Sequence, residues 1–232
     1  ALAGSCDLVI GLIGGINPAR ELIATALNSG ASVVTGNKAL LATHGGQLLE
    51  LAQAKGVDLL FEAAVAGAIP VVRTIKEGLA GDKIISISGI LNGTTNYILD
   101  EMTTKGLDYD TALAAAQQLG YAEADPTADV EGLDAAAKAA ILATLAFGQE
   151  VTLADVSVTG ISKITKADID QAEFGLFVVY CGFAVMVRRI DAHAEFLILS
   201  ETARHVRRQT TAFSRAVIGS QPVQSFIGRA FG

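Results

Sequence analysis

Three short β-rich runs, at 7–14 (DLVIGLIG), 32–35 (SVVT) and 57–61 (VDLLF), alternate with helix-like stretches, one beginning at Pro18 and one over 47–55. This alternation constrains the fold more than any other feature of the chain. Consecutive parallel strands need a crossover of a dozen or more residues, which an amphipathic helix supplies. Such helices cover both faces of a parallel sheet, so its strands read as nearly continuous apolar runs. The glycines that close the first run and Pro18 at a helix-opening position fit a strand-to-helix turn. The first part of the chain therefore predicts a parallel α/β sheet.

From residue 63 the pattern changes. A small-residue turn (AAVAGAIP) leads into a helix through Glu77, a strand over 83–88, and a polar loop at 92–96 that opens another helix. Two further helices, over 110–119 and 130–145, flank an acidic loop at 123–129. These features predict a second domain, with the boundary near residue 62 set by pattern alone, since no repeat or low-complexity linker marks it.

At 232 residues and 51% hydrophobic content the chain can bury one good core or two small ones. Its longest nearly unbroken apolar run, 176–187, falls short of the roughly 20 residues a membrane-spanning helix needs. A net charge of −7 argues against a nucleic-acid partner, because affinity for a phosphate backbone comes from Lys and Arg. Cys6 and Cys181 are too few for a disulfide framework, and the N-terminus carries no signal-peptide pattern, so a reducing cytoplasm is the expected compartment. His44, His193 and His205 lack the spacing of a zinc site. All eight lysines precede residue 167, whereas seven of the nine arginines lie at Arg188 or later. An ordinary basic surface and a C-terminus of foreign origin both fit that change.

Several residues are candidates for chemistry. Asn37 and Lys38 (TGNK) follow the carboxyl end of a predicted parallel strand, where open α/β sheets bind their ligands. In the 130–145 helix the apolar stripe is Val130, Leu133, Ala137, Ile141 and Leu145. At 100° per residue Asp134 falls about 20° from Ile141, and Lys138 about 40° from Asp134. A charged pair inside an apolar stripe either lines a cleft or forms a desolvated ion pair, which costs several kcal/mol to bury. Glu123, Asp125 and Asp129 crowd the preceding loop after Gly120 and Tyr121, so one pocket could join a base, a counter-ion and substrate-binding carboxylates. In FEAAVAGAIP (61–70), Glu62 and a run of backbone carbonyls offer a donor set for a hard cation, although small residues there also simply permit close packing.

The segments LIGGINPARELI, VVTGNKALLATHG, FEAAVAGAIPVV, GILNGTTNYIL and GYAEADPTADVEGLDAAAK, in that order and spacing, resemble homoserine dehydrogenases. The likeness is close over about 5–165, fades through Asp191, and is not visible beyond it. It implies a partial Rossmann-type parallel sheet followed by an α+β catalytic and dimerisation domain. The divisions are 1–62 for the remnant of an NAD(P)-binding domain, 63–190 for the catalytic domain and 191–232 for a divergent tail.

The implied reaction is NAD- or NADP-dependent interconversion of L-homoserine and L-aspartate 4-semialdehyde, by a cytoplasmic homodimer with a monovalent cation, usually sodium. By the same resemblance Lys138 corresponds to the proton donor and acceptor, and Lys38 to a second active-site lysine near substrate and nicotinamide. Asp134, Asp129 and Glu123 correspond to substrate-side carboxylates, with Glu123 and Gly120 also at the cofactor junction. Glu62 and the carbonyls of Val65, Gly67 and Ile69 correspond to the cation site. Lysine suits proton exchange only when its surroundings bring its pKa of about 10.4 toward neutrality.

The family's opening βαβ unit, whose glycine-rich loop presents pyrophosphate to a helix N-terminus, is expected to be missing here. A catalytically inactive fragment acting as a dimerising or binding module is the alternative expectation, since lost strands leave unpaired edges. A semialdehyde dehydrogenase with a cysteine nucleophile does not fit, because neither cysteine sits beside a base.

Overall fold

The computed structural model describes residues 6–173, 184–190 and 193–198. Cys181, His205 and most of the predicted tail, 191–232, lie outside the described residues.

Strand β1 (Leu8–Gly11), helix α1 (Ala19–Asn28), β2 (Ser32–Thr35), α2 (Lys38–Lys55) and β3 (Leu59–Leu60) follow one another as the alternation predicts. The three strands form a parallel sheet in the order β1-β2-β3, with Leu8 opposite Ser32 and Val33 opposite Leu59. Helix α2 begins at Lys38, well before the predicted start at 47. The Asn37 side chain accepts from the Leu40 N–H at 3.1 Å and so caps the first turn. Gly45 and Gly46 weaken the helical signal in the sequence. In the fold, however, a Cβ on Gly46 would come within 2.8 Å of the Glu150 side chain, so the glycine serves close packing.

Helices α1 and α2 cover one face of the sheet. Val9, Val33, Thr35 and Leu59 point into that layer, and the last three are buried. The opposite face departs from the expectation of two covered faces: Leu8, Ile10 and Leu60 are 52%, 64% and 47% exposed. Among the described residues, no helix packs there.

Beyond the sheet, a 3-10 turn (Glu62–Ala64) leads to α3 (Val71–Arg73) and a wide turn (Thr74–Gly78), in place of one continuous helix through Glu77. Next come β4 (Ser86–Ile90), α4 (Gly93–Lys105), α5 (Tyr109–Gln118), α6 (Thr127–Val130), α7 (Leu133–Phe147) and α8 (Lys166–Glu173). Strands β5 (Ala184–Ile190) and β6 (His193–Ile198) complete an antiparallel sheet in the order β4-β5-β6.

The predicted 130–145 helix is two helices. Gly132, at φ 81°, adopts a left-handed conformation that a side chain would strain, and α7 starts after it. Val130 consequently belongs to α6, and Leu133, placed in the apolar stripe by periodicity, is 44% exposed. From Ala135 to Ala137 and from Ala139 to Ala143 every residue of α7 is buried, so the helix runs through the core and not along its surface. Its alanines let α2 approach closely, and one hydrophobic core continues from α1 through α2 and α7 to Ile169. No helix among the described residues is long and apolar enough to cross a membrane.

Candidate active site

The carboxyl ends of β1 and β2 are tied together by side chains. Thr35 Oγ1 donates to the Gly11 carbonyl at 2.8 Å, and Asn37 Nδ2 donates to the carbonyls of Ile13 (2.8 Å) and Gly15 (2.5 Å). With its oxygen capping α2, Asn37 fixes both the loop after β1 and the helix that begins at Lys38. Lys38 therefore projects from the first turn of a helix at the end of the sheet where α/β folds bind ligands.

Its partner lies 96 residues away: Lys38 Nζ donates to Asp134 Oδ1 on α7. Lys138 Nζ, one turn along α7, donates to Asp134 Oδ2 at 2.5 Å and to the Leu91 carbonyl at 2.5 Å. Asn92 Nδ2 donates to Asp134 Oδ2 at 3.1 Å and to Asp129 Oδ1 at 2.6 Å. Two lysines, from α2 and α7, and the amide at the head of α4 thus converge on Asp134, and the amide also joins it to Asp129 of α6. The Asp134 and Lys138 side chains are only 10% and 15% exposed, while that of Lys38 is 42% exposed. The bonded cluster answers the question left by the helical pattern: Asp134 and Lys138 form a largely buried ion pair, and Lys38 carries the cluster to the surface.

Burial alone would raise the pKa of Asp134, but the hydrogen bonds from Lys138 and Lys38, the charge of Lys138 and the bond from Asn92 outweigh it. The carboxyl is held below its ordinary value and is ionised near neutrality.

The predicted acidic loop divides. Asp129 joins the cluster through Asn92. Asp125 instead accepts from Thr127 at its hydroxyl (2.6 Å) and its backbone N–H (3.1 Å), which depresses its pKa and shapes the entry to α6. Glu123 is exposed, and its carboxylate pairs with neither lysine. The loop carrying Glu123 is nonetheless anchored to α4: Thr94 Oγ1 donates to the Tyr121 carbonyl at 2.7 Å, and the Tyr97 and Tyr121 rings lie 4.9 Å apart. Gly120, at φ 76°, has open space around its Cα. Open space at Gly120 and the uncommitted carboxylate of Glu123 fit a surface that receives a ligand.

Glu62 stands apart from the cluster. Its carboxylate oxygens accept from the N–H groups of Val72 (2.9 Å) and Arg73 (3.0 Å), closing the turn over 62–73. Within that turn Ala66 and Ala68 have φ of 51° and 67°, left-handed conformations that cost non-glycine residues energy. They fold Val65, Gly67 and Ile69 into a tight loop, and the Ile69 carbonyl accepts from Val71 N at 2.8 Å. A carboxylate with lone pairs to spare, in a turn that also carries several backbone carbonyls, is the donor chemistry a hard cation takes.

Sequence reasoning missed Asn92 as part of the site. An Asn opening a helix reads as a cap, and Asn92 is one, accepting from Thr95 N at 3.0 Å. Nothing in a linear sequence signals that the same amide also faces two carboxylates.

Comparison with known proteins places the chain first in a class and then in a family. Residues 1–62 match a family model described as the NAD-binding domain of homoserine dehydrogenase, which sets this half in a class of α/β domains. Residues 70–223 match the homoserine dehydrogenase model itself. The chain belongs to the homoserine dehydrogenase family, as its sequence motifs imply.

It is 59% identical over 167 residues to homoserine dehydrogenase of Corynebacterium glutamicum, covering 72% of this chain and 38% of that protein. It is 50% identical over 193 residues to the enzyme of Pseudomonas aeruginosa, covering 83% and 44%. In three dimensions it resembles a homoserine dehydrogenase from Thiobacillus denitrificans, with a TM-score of 0.76 and 44% identity over 83% of this chain and 44% of that one. A hyperthermophilic archaeal homoserine dehydrogenase in complex with NADPH is similar at a TM-score of 0.68 and 27% identity, over 84% and 56% of the two chains. The chain thus spans less than half the length of the two sequence relatives named.

Proposed function

We propose that this chain carries the catalytic cluster for interconverting L-homoserine and L-aspartate 4-semialdehyde. The reading is carried by the meeting of Lys38, Asp134 and Lys138, which brings two amines to one ionised carboxylate, with Lys38 partly exposed. NAD or NADP, when bound, supplies the hydride acceptor or donor, with Lys38, Gly120 and Glu123 as the residues that would border it. Lys138 Nζ takes the hydroxyl proton of homoserine in oxidation and returns it to the carbonyl oxygen in reduction. Lys38 places a fixed positive charge where the substrate oxygen gains negative character. Asp134 orients both amines and, with Asp129 and Glu123, offers carboxylates to the ammonium group of the substrate.

On the same reading Glu62 and the carbonyls of Val65, Gly67 and Ile69 hold a monovalent cation, sodium before others. The strained alanines between them support this, because strain persists where function over-determines the backbone. The cofactor half ends at residue 62, and the catalytic half begins at 63 and takes in β6, which pairs with β5. The working form is a cytoplasmic homodimer.

The test follows NAD(P)H absorbance with the purified chain and aspartate semialdehyde in the presence of sodium. Lys138→Met lowers turnover by about 10² to 10⁴, the range expected for a lost general acid–base. A folded chain without turnover, or turnover that survives the substitution, ends the reading.

A further inference from the structure

The amide of Asn92 has no spare hydrogen-bonding capacity. Its Nδ2 donates to Asp129 Oδ1 (2.6 Å) and Asp134 Oδ2 (3.1 Å), and its Oδ1 accepts from Thr95 N (3.0 Å) and Thr95 Oγ1 (2.6 Å). Two donors and two acceptor sites are all that an amide side chain possesses. Both residues are sealed from solvent, Asn92 at 5% and Thr95 at 0% exposure.

Orientation is forced by chemistry. A backbone N–H can only donate, so the Thr95 side of the amide must be its oxygen, and the NH₂ must face the carboxylates. Turned over, the amide would set a carbonyl oxygen against two carboxylates and its NH₂ against the Thr95 N–H, losing those three bonds. Capping alone would be met by an Asn that accepts from Thr95 and leaves its NH₂ in water.

The NH₂ instead lies between two negative groups that would otherwise repel. Each of its hydrogens requires an acceptor, so both carboxylates present a lone pair to it. With Asp134 Oδ2 shared between Asn92 and Lys138, Oδ1 is left for Lys38, and the plane of the carboxylate is set by three donors.

We infer that Asn92, locked by Thr95, is the positioning residue of the site: it holds Asp129 and Asp134 side by side and fixes which oxygen of Asp134 each lysine binds. The inference rests on the catalytic reading above for its function, but its geometry can be tested separately. The groups facing Asp134 are Lys138 on its own helix, Lys38 from α2 and Asn92 from the head of α4, with Asp129 of α6 across the amide.

The experiment is a titration of the full chain followed by carboxyl ¹³C NMR of the aspartates. Asn92→Ser keeps a capping oxygen for α4 but removes the bridging NH₂. The midpoint of Asp134 should rise by about one pH unit, as expected when a charged acceptor loses one of its donors. Thr95→Val, which keeps the backbone N–H and loses the hydroxyl, should move it the same way by less. Thr95→Ser should restore the original midpoint. Unchanged midpoints in a folded Asn92→Ser protein, with α4 intact by circular dichroism, overturn the inference.

Turnover separates the two claims. A chain with no turnover whose Asp134 midpoint still responds to Asn92→Ser keeps the positioning role and loses the catalytic one. An active chain whose midpoint and turnover both ignore Asn92→Ser loses the positioning role alone.

Discussion

The parallel sheet and helix α7 are both apolar, yet the fold treats them differently. Along α7 the residues from Ala135 to Ala143, Lys138 excepted, are buried, and the apolar surroundings force its two charged residues into a bonded cluster. In the sheet, Val33 is fully buried while Ile10, on the other face of the neighbouring strand, is 64% exposed. Equal hydrophobicity therefore does not mean equal energetic weight. An apolar side chain stabilises the fold in proportion to the area it removes from water, and Ile10 removes little.

The contrast breaks most severely at Asp134. Replacing it by Ala leaves Lys138 without its carboxylate in a site where its side chain is only 15% exposed, and removes the bond that joins α2 to α7. The expected loss is about 3–5 kcal/mol, read from chemical denaturation at neutral pH. Because the pKa of Asp134 is depressed in the folded state, its stabilisation is fully present above the unfolded value of about 3.9. It disappears as pH falls through the lower folded value. The gap between wild type and Asp134→Ala should accordingly close below about pH 4. Asp108, Asp125, Asp155 and Asp168 also have lowered pKa values, but they are present in both proteins and cancel in the difference.

Next in size is the core of α7 itself. Ile141→Ala should cost about 2–5 kcal/mol, the range for a large-to-small change at a site that is 3% exposed. Gly160→Ala should follow at about 1–3 kcal/mol, because the added Cβ would stand 2.6 Å from the Val130 carbonyl and 2.7 Å from Glu131 Cα. Those atoms lie at the end of α6, where the chain turns into α7, so the same change should disturb the spacing of Asp129 and Asp134. Their carboxyl ¹³C shifts would report it, and unmoved shifts would limit the effect to stability. Smallest of all is Ile10→Ala, expected within about 0.5 kcal/mol of wild type, as for exposed positions generally. A cost near that of Ile141→Ala would show that the open face of the sheet is covered in solution.

Much of the local structure was legible before any coordinates. Ser32–Thr35 is the strand that SVVT announces, and a helix opens at Asn92, where the polar loop over 92–96 predicts one. Helical periodicity placed Asp134 and Lys138 inside an apolar stripe, and they are inside. It failed one turn earlier, at Val130 and Leu133, because Gly132 breaks the helix and resets its phase. Helix α2 was half hidden, since Gly45 and Gly46 lower propensity at the one place where tertiary packing requires small residues.

By itself, then, the sequence determined the order of strands and helices, the faces on which charged residues sit, and membership in the homoserine dehydrogenase family. These follow from short-range rules, in which backbone geometry, side-chain period and capping act over a few residues. Only the tertiary structure decided that Lys38 reaches Asp134, that Asn92 bridges two carboxylates 37 and 42 residues away, and that one face of the sheet lies open. Such pairings depend on how packed elements bring distant chain segments together. Burial then decides which polar groups must find one another, because an unpaired charge in the interior costs more than the chain can spare.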